Sequence, residues 1–473
     1  MTSTLLELSN MIAGSVATLD KVCSKTFPFP SLDDPFVPHS EAFRASPEAA
    51  EAANVIAAAA SQLMAMVLPP PAALCVIVSG HFKSAALRVC LEGNVTEILR
   101  EGGPKGVHVD EIGKKANISS DKIARLLRYL ATHHVYKEVS PDVFANTRIS
   151  SLLDTGKSVK DILANPDEKH VNTAGFAALA GHHLDEINKS CAYLWENMSD
   201  PNTAHSSEVS KAAFNRAFEW DGPFWTWLTQ PEQVNRQRRF GAAMQGVEAL
   251  EPADSILKAF DWKSLPQDAL VVDVGGGVGT PSLMLAQNTS NIKIVVQDLP
   301  PVVEEGKALW KTKLPQAIQS GRVTLQAHDF FEPQPIKNAS VFLLKQIMHD
   351  WPDAYATKIL TNLREVAQRD TKLILIDSIM PFACHDSNAD DGKGTVPGAV
   401  PKEAPQPLLA NYGIANEMGY NGDLTMMLAF NAQERTVRHL QRLLDSTGWR
   451  LTRVSRELSN SFLQPVEAVP VFE

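Results

Sequence analysis

The sequence predicts a two-part α/β protein: a mostly helical, winged-helix-like unit over residues 1–250, then a doubly wound parallel-sheet domain over residues 251–473. Three observations carry this. A chain of 473 residues is too long for one hydrophobic core. Its first half reads as amphipathic helices closed by one short hairpin. From residue 251 short β-rich runs alternate with helix-length segments, the pattern of strands joined by crossover helices.

In the first half, the Ala-rich tract SPEAAEAANVIAAAASQLMAMVL starts at Ser46 as N-cap with Pro47 at the first helical position, and stops at Pro69-Pro70-Pro71. AALRVCLEGNVTEILREGG and VHVDEIGKKANIS follow as amphipathic segments. In SDKIARLLRYLATHHVYKEV, Ile123, Leu126, Leu127 and Leu130 share one helical stripe. YKEVS and VFANT, with Pro141-Asp142 between them, form a hairpin and complete a winged-helix pattern. Lys122, Arg125 and Arg128 face away from the stripe, as a DNA reader's cations would. The net charge of −10 disfavours nucleic acid, so the reading taken is a packing or dimerisation module.

No basic leader precedes the first apolar residues, and apolar stretches such as AALCVIVSG are much shorter than a bilayer needs. No membrane is expected. Cys23, Cys75, Cys90, Cys191 and Cys384 are scattered without metal-ligand spacing. They read as reduced thiols of a cytoplasmic protein, with no disulfide framework and no metal site.

In the second half the strand candidates are ALVVDVG, IKIVVQD, VTLQAHD, ASVFLLKQIMH and KLILIDSI. In a parallel sheet, ligands bind at the carboxyl ends of the strands, and four of these runs end in or near an acid or a histidine. After the first run, Gly275, Gly277 and Gly279 form G-x-G-x-G, which lets backbone approach a ligand at a helix N-terminus. Asp273 precedes the glycines, and Thr280 breaks the G-x-G-x-x-G dinucleotide spacing. Asp298, 21 residues after Gly277, ends the second run ahead of Leu299-Pro300-Pro301 and can accept both hydroxyls of a ribose. Asp329 and Phe330 end the third and suit an adenine, by hydrogen bond and by stacking. These residues leave NAD and S-adenosylmethionine (SAM) both open. The Pro/Gly/Asp-rich stretch HDSNADDGKGTVPGAVPKEAPQPLLANYG reads as a long loop, either a lid or a disordered insert.

The ordered set VVDVGGGVGT, VVQDLPPVV, HDFFEP, LLKQIMHDWPD, LILIDSIMP and DLTMMLAFNAQERT resembles the plant-type phenolic O-methyltransferases, a family that includes caffeic acid and flavonoid enzymes and fungal relatives. The likeness implies a Rossmann-like SAM-binding domain behind a helical, winged-helix-like dimerisation domain, acting as a homodimer on a small phenolic acceptor. It places Gly275 and Gly277 along the cofactor with Asp273 beside them, Asp298 and Leu299 at the ribose, and Asp329 and Phe330 at the adenine. Lys345 would contact the cofactor and Trp351 would close over it. Phe240, Met244, Met426, Met427 and Asn431 would line the acceptor pocket.

Methyl transfer from a sulfonium to a phenol is a single in-line displacement, so the protein must position the partners and remove the phenolic proton. A phenol titrates near pH 10, and an imidazole is the side chain suited to taking its proton. His349 is the candidate base. The resemblance adds two acids to steady it, at Asp377 and Glu434, although the first is usually a glutamate in the plant enzymes. Asp350 is read as the cap of the following helix, and Lys345 and His349 as two residues on one face of one strand. The competing readings are an NAD(P)-dependent oxidoreductase and a winged-helix regulator that senses SAM without catalysis. A sensor would not need His349 and its acids.

Overall fold

In the computed structural model, which describes residues 3–26, 29–252, 254–387, 396–456 and 462–472, the β-rich runs after residue 268 form the core of a seven-stranded sheet. A hairpin in the first half supplies β1 (Val107–His108), β2 (Tyr136–Ser140) and β3 (Val143–Asn146). The large sheet holds β4 (Ala269–Val274), β5 (Ile292–Asp298), β6 (Val323–Ala327), β7 (Val341–Lys345), β8 (Lys372–Asp377), β9 (Trp449–Val454) and β10 (Gln464–Pro470), in the order β6-β5-β4-β7-β8-β10-β9. The first five are mutually parallel, and β10 runs antiparallel to both β8 and β9. Apolar side chains leave both faces of these strands. Val272, Val274, Phe342 and Leu344 pack in one cluster with Leu360 and Leu443, while Val271, Ile294, Val296 and Leu343 pack in the other with Trp310. Strand order reverses between β4 and β7, which opens a crevice at their carboxyl ends.

The chain divides into two compact units, Met1–Glu196 with Ala213–Leu250, and Asn197–Ala212 with Glu251–Glu473. The second unit thus takes a segment from the first half of the sequence. The Asn431 amide holds it by donating to the carbonyls of Ser206 at 2.7 Å and Glu208 at 3.0 Å. The Tyr355 hydroxyl adds a bond to Glu208 Oε2 at 2.8 Å.

In the first unit, the helix Pro47–Val67 begins at Ser46, whose side chain accepts from the Ala49 amide. It packs on Thr4–Thr26 through small residues, with Ala49 and Ala52 against Leu19, Cys23 and Phe43. Its 21 residues and mean hydropathy of 1.3 make it long and apolar enough to cross a bilayer by length and composition. The helix pair Pro70–Val78 and His81–Glu92, bent by 42°, passes the same test. The sequence reading had found no such stretch, because an alanine tract raises hydropathy without a conspicuous run of large side chains. The helices Val95–Gly102, Val109–Ala116 and Ser120–Thr132 with sheet β1-β3-β2 build the winged-helix arrangement around Ile98, Ile112, Ile123, Leu127, Leu130, Tyr136 and Phe144. Arg128, one of the three cations on that helix, bonds the carboxylates of Glu138 and Asp142 on the hairpin itself.

Residues 388–395 of the long Pro/Gly/Asp-rich stretch lie outside the described residues. Where the stretch resumes, it is fixed to the edge of the sheet. The Val454 amide donates to Pro397 O at 2.9 Å, and Arg456 Nε donates to Gly398 O at 2.8 Å. Gly398, at φ +75°, lies so close that a Cβ there would sit 1.9 Å from Val454 O.

Candidate active site

The crevice begins at the turn from β4 into the helix Thr280–Asn288. Gly275, Gly277 and Gly279 all have positive φ, of 69°, 60° and 84°, a region open to glycine at little cost. A Cβ on Gly275 would meet Ile347 at 2.7 Å, and one on Gly279 would meet the buried Trp310 at 2.7 Å. A Cβ on Gly277 would face open space, so the exposed rim of the turn is backbone. Asp273 is 2% exposed and lies beneath the turn. It accepts from the Ser282 hydroxyl at 2.6 Å, and a Cβ on Gly276 would stand 2.6 Å from its Oδ2. It therefore supports the turn from below, which differs from the direct contact the sequence suggested. Burial, with the nearby Asp298 charge, pushes its carboxyl up to about 6.

Asp298 ends β5. Its Oδ2 accepts from the Gly277 amide at 2.8 Å and its Oδ1 from the Leu299 amide at 2.7 Å, so one carboxylate links the glycine turn to the next strand end. Burial raises its pKa against those two bonds. Leu299 is 52% exposed beside it, an unusual position for a leucine at a strand end. Asp329 follows β6, is exposed, and accepts from the Phe331 amide at 2.9 Å. Phe330 is half-buried, stands next to Gly275, and meets Trp351 edge-on at 5.8 Å. Lys345 ends β7 with its ammonium on Gln346 Oε1 at 2.9 Å. Open backbone, a carboxylate with free lone pairs, an exposed leucine and an aromatic ring suit a nucleoside carrying a ribose diol.

His349 does not lie on β7. The strand ends at Lys345, Gln346 takes a left-handed backbone at φ +54°, and the 3-10 turn Met348–Asp350 carries the histidine. The expected shared strand face is corrected: a left-handed residue reverses the chain before the alternation reaches His349. Arg435 fixes the turn, donating to Met348 O at 2.6 Å and Trp351 O at 2.7 Å while pairing with Asp353 at 2.9 Å. His439 Nε2 bonds the other oxygen of Asp353 at 2.6 Å.

The imidazole of His349 is 9% exposed, with Nδ1 on Glu434 Oε1 at 2.7 Å and Nε2 3.6 Å from Asp350 Oδ1. Asp350 is therefore no helix cap; Pro352 precedes the helix Asp353–Val366, and Asp350 is the histidine's neighbour. Asp377, at the end of β8, is buried but makes no hydrogen bond to His349. Its Oδ1, like Glu434 Oε2, has no partner among the described residues. The Glu434 amide donates to Asp423 Oδ1 at 2.8 Å. Burial opposes an imidazolium at His349, but Glu434, Asp350 and Asp377 outweigh it and push its pKa up to about 10. Burial, against the attraction of that imidazole, pushes Asp377 up to about 7 and Asp350 up to about 6. Three carboxylates around one histidine cannot all ionise cheaply in so dry a site.

Of the expected acceptor residues, Met426 and Met427 are half-buried on the helix Glu417–Phe430. Asn431 caps that helix at φ +55° and its amide holds the Ser206–Glu208 segment. Phe240 and Met244 belong to the helix Val234–Glu248 of the first unit. There Phe240 packs edge-on against Trp225 at 5.6 Å, and Met244 is 37% exposed. Sequence reasoning missed the clamp at Arg435 and the role of Asp350. An arginine directly after Glu434 in QERT was the only signal for the clamp.

Comparison with known proteins bears on this geometry. The O-methyltransferase domain family matches residues 195–450, and the O-methyltransferase dimerisation domain family matches residues 75–156. The chain is 49% identical over 473 residues to 4-O-methyltransferase 1 of Phanerochaete chrysosporium, covering 99% of this chain and 100% of that one. Among solved structures, LepI in complex with SAM superposes with a TM-score of 0.65 at 19% identity, over 98% of this chain and 100% of the other. Human N-acetylserotonin methyltransferase in complex with SAM gives 0.60 at 20% identity, over 86% and 99%. A helical dimerisation domain followed by a mostly parallel methyltransferase sheet, with a crevice suited to a nucleoside, is thus accounted for: the chain belongs to the family of SAM-dependent O-methyltransferases.

Proposed function

We propose that the enzyme methylates a phenolic hydroxyl of a small aromatic acceptor, with His349 as general base. One observation carries this: a buried imidazole bonded to Glu434 at 2.7 Å, whose neighbouring carboxylates push its pKa up to about 10. That is the range in which a phenol holds its proton. Carboxylates that raise the imidazole's proton affinity make Nε2, once it has lost its own proton, a stronger acceptor for the phenolic proton. Glu434 keeps Nδ1 protonated and the ring oriented, and its charge stabilises the imidazolium that forms. When bound, SAM supplies a methyl group already activated on a sulfonium. Gly275, Gly277, Asp298, Leu299, Asp329, Phe330 and Lys345 would hold it, with Trp351 packed behind Phe330.

Met426 and Met427 are proposed as acceptor walls on the second unit, since a flat aromatic ring fits an apolar slot with few polar groups. The acting form is a homodimer joined through the first unit. The match to a dimerisation domain supports this, as do Leu74, Ile77, Val78 and Phe82, which expose apolar surface on adjoining helices. Nucleic acid and membrane are not its targets, and the five free cysteines suit a reducing cytoplasm. The test is a SAM-consumption assay against a panel of phenols with mass detection. A product heavier by one CH2, lost in His349→Ala, is expected. SAM binding without any methylated phenol would move the acceptor outside this class.

A further inference from the structure

A base that ends each turnover as an imidazolium must shed that proton before it acts again. His349 has to do so from a buried position. Burial resists the charge, but Glu434, Asp350 and Asp377 outweigh it, and the ring keeps its proton up to about 10. Each ring nitrogen offers one way out.

On the Nδ1 side Glu434 Oε1 stands at 2.7 Å, but the glutamate side chain is only 3% exposed and its Oε2 is buried with no partner among the described residues. Asp377 is buried too, and its Oδ1 likewise has no partner there. A proton handed to that side meets no hydrogen-bonded group that would carry it onward. On the Nε2 side stands Asp350, with Oδ1 3.6 Å away and a side chain 17% exposed. That distance exceeds hydrogen-bond length, so Nε2 stays free to face an acceptor, and one water or a small side-chain rotation closes the gap. Arg435 holds the pair from both sides, donating to the carbonyls of Met348 and Trp351, the residues that flank His349-Asp350. Burial pushes the Asp350 carboxyl up to about 6 against the attraction of His349. A group titrating there gains and loses a proton readily near neutral pH. The charged groups around it are His349 on its own turn, Glu434 beside Arg435, and Asp377 at the end of β8.

We infer that Asp350 is the outlet for the proton that His349 takes from the acceptor, receiving it from Nε2 and passing it to water. The inference rests on the phenolic reading and adds the step that follows methyl transfer. The phenolic oxygen keeps the electron pair of its O–H bond for the new bond to carbon, and the proton goes to Nε2. The Nε2–H bond then breaks, its electron pair stays on nitrogen, and the proton goes to Asp350 Oδ1. From there it leaves to solvent, and both groups are ready for the next turnover. Asp350 thus acts through His349.

The experiment measures kcat of full-length wild type and Asp350→Asn on catechol, resorcinol and phenol, at fixed pH and ionic strength, in rising concentrations of free imidazole. Free imidazole is a small base that collects the proton directly. At low buffer Asp350→Asn is expected to lose on the order of tenfold in kcat and to regain most of it as imidazole rises, while wild type stays flat. Loss of a charge or of a packing contact shifts the pH profile or lowers the rate, but it creates no dependence on buffer base. A loss that imidazole does not relieve, or no loss at all, overturns the inference. SAM affinity by calorimetry checks that the variant is folded; should it fail, Asp350→Ser takes its place and is read the same way. His349→Ala separates the two claims. If it keeps wild-type turnover, or if wild type methylates none of the three phenols, the phenolic reading falls and this inference falls with it. If His349→Ala is inactive while Asp350→Asn shows no buffer effect, the outlet alone falls.

Discussion

His349 bonds Glu434 at 2.7 Å in the second unit, and His182 bonds Glu186 at 3.2 Å in the first. Both imidazoles are buried and both use Nδ1. The surrounding charge separates them. Asp350 and Asp377 crowd His349, two buried carboxylate oxygens there have no partner among the described residues, and the ring is driven to hold a proton up to about 10. Around Glu186 burial is opposed by the His182 bond and by Arg239, which keep its carboxyl below the usual range, and Arg236 stands 3.4 Å away. The same pair of side chains thus stands in two opposite electrostatic settings. The lesson is that a dyad's chemistry is set by the charges around it more than by its own bond.

The comparison breaks most visibly at His349. His349→Ala is expected to lower kcat by about 10²–10⁴ while calorimetry finds SAM binding retained. A loss under about tenfold would make the two histidines equivalent. Next is Glu434→Gln, expected to lower kcat by roughly one to two orders of magnitude and to reshape the pH profile. In wild type the imidazole and the phenol, both near 10, must together lose one proton before reaction, so kcat/KM should climb from pH 7 towards about 10. Removing the Glu434 charge lowers the imidazole's proton affinity, which moves that rising limb to lower pH. A limb that stays in place would show that some other group sets it. Asp377→Asn should be the mildest, about threefold in kcat, because Asp377 acts on His349 through space and makes no bond to it. Steady-state kinetics of Asp377→Asn beside Glu434→Gln would reverse the ranking if Asp377 were the true partner.

Much of the second unit could be read in the sequence because each buried parallel strand leaves a run of apolar residues ending on a polar one. KLILID and IKIVVQD became β8 and β5. The antiparallel pair β9 and β10 was not foreseen, since WRLTRV and QPVEAVP interleave charged with apolar residues and leave no continuous apolar run. The glycine turn and Asp298 were legible for the same reason: position at a strand end is a sequence property. The Asp273 bond to Ser282 and the Asn431 bonds to Ser206 and Glu208 were not legible, because the direction a side chain takes is a tertiary property. Gln346 shows this best. No local signal announces that a glutamine will adopt φ +54° and turn the chain, yet that one residue decides where His349 points. His182 was passed over because a histidine and a glutamate four apart are ordinary on any helix surface. Only the π-helical turn His183–Ile187, which sequence does not mark, draws the pair inside.

The tie between Pro397–Gly398 and Val454 has a consequence for the molecule's behaviour in a crowded cell. Strand β9 is the outermost of its sheet, and an uncovered outer strand offers its free amides and carbonyls to any neighbouring chain. At its last residue that edge is occupied: the Val454 amide is engaged by Pro397, and Gly398 lies close against Val454 O. A proline cannot extend the ladder further, so pairing ends where it begins. The segment thus closes one end of the outer strand, and shortening it is expected to raise aggregation, read by light scattering, before it lowers turnover.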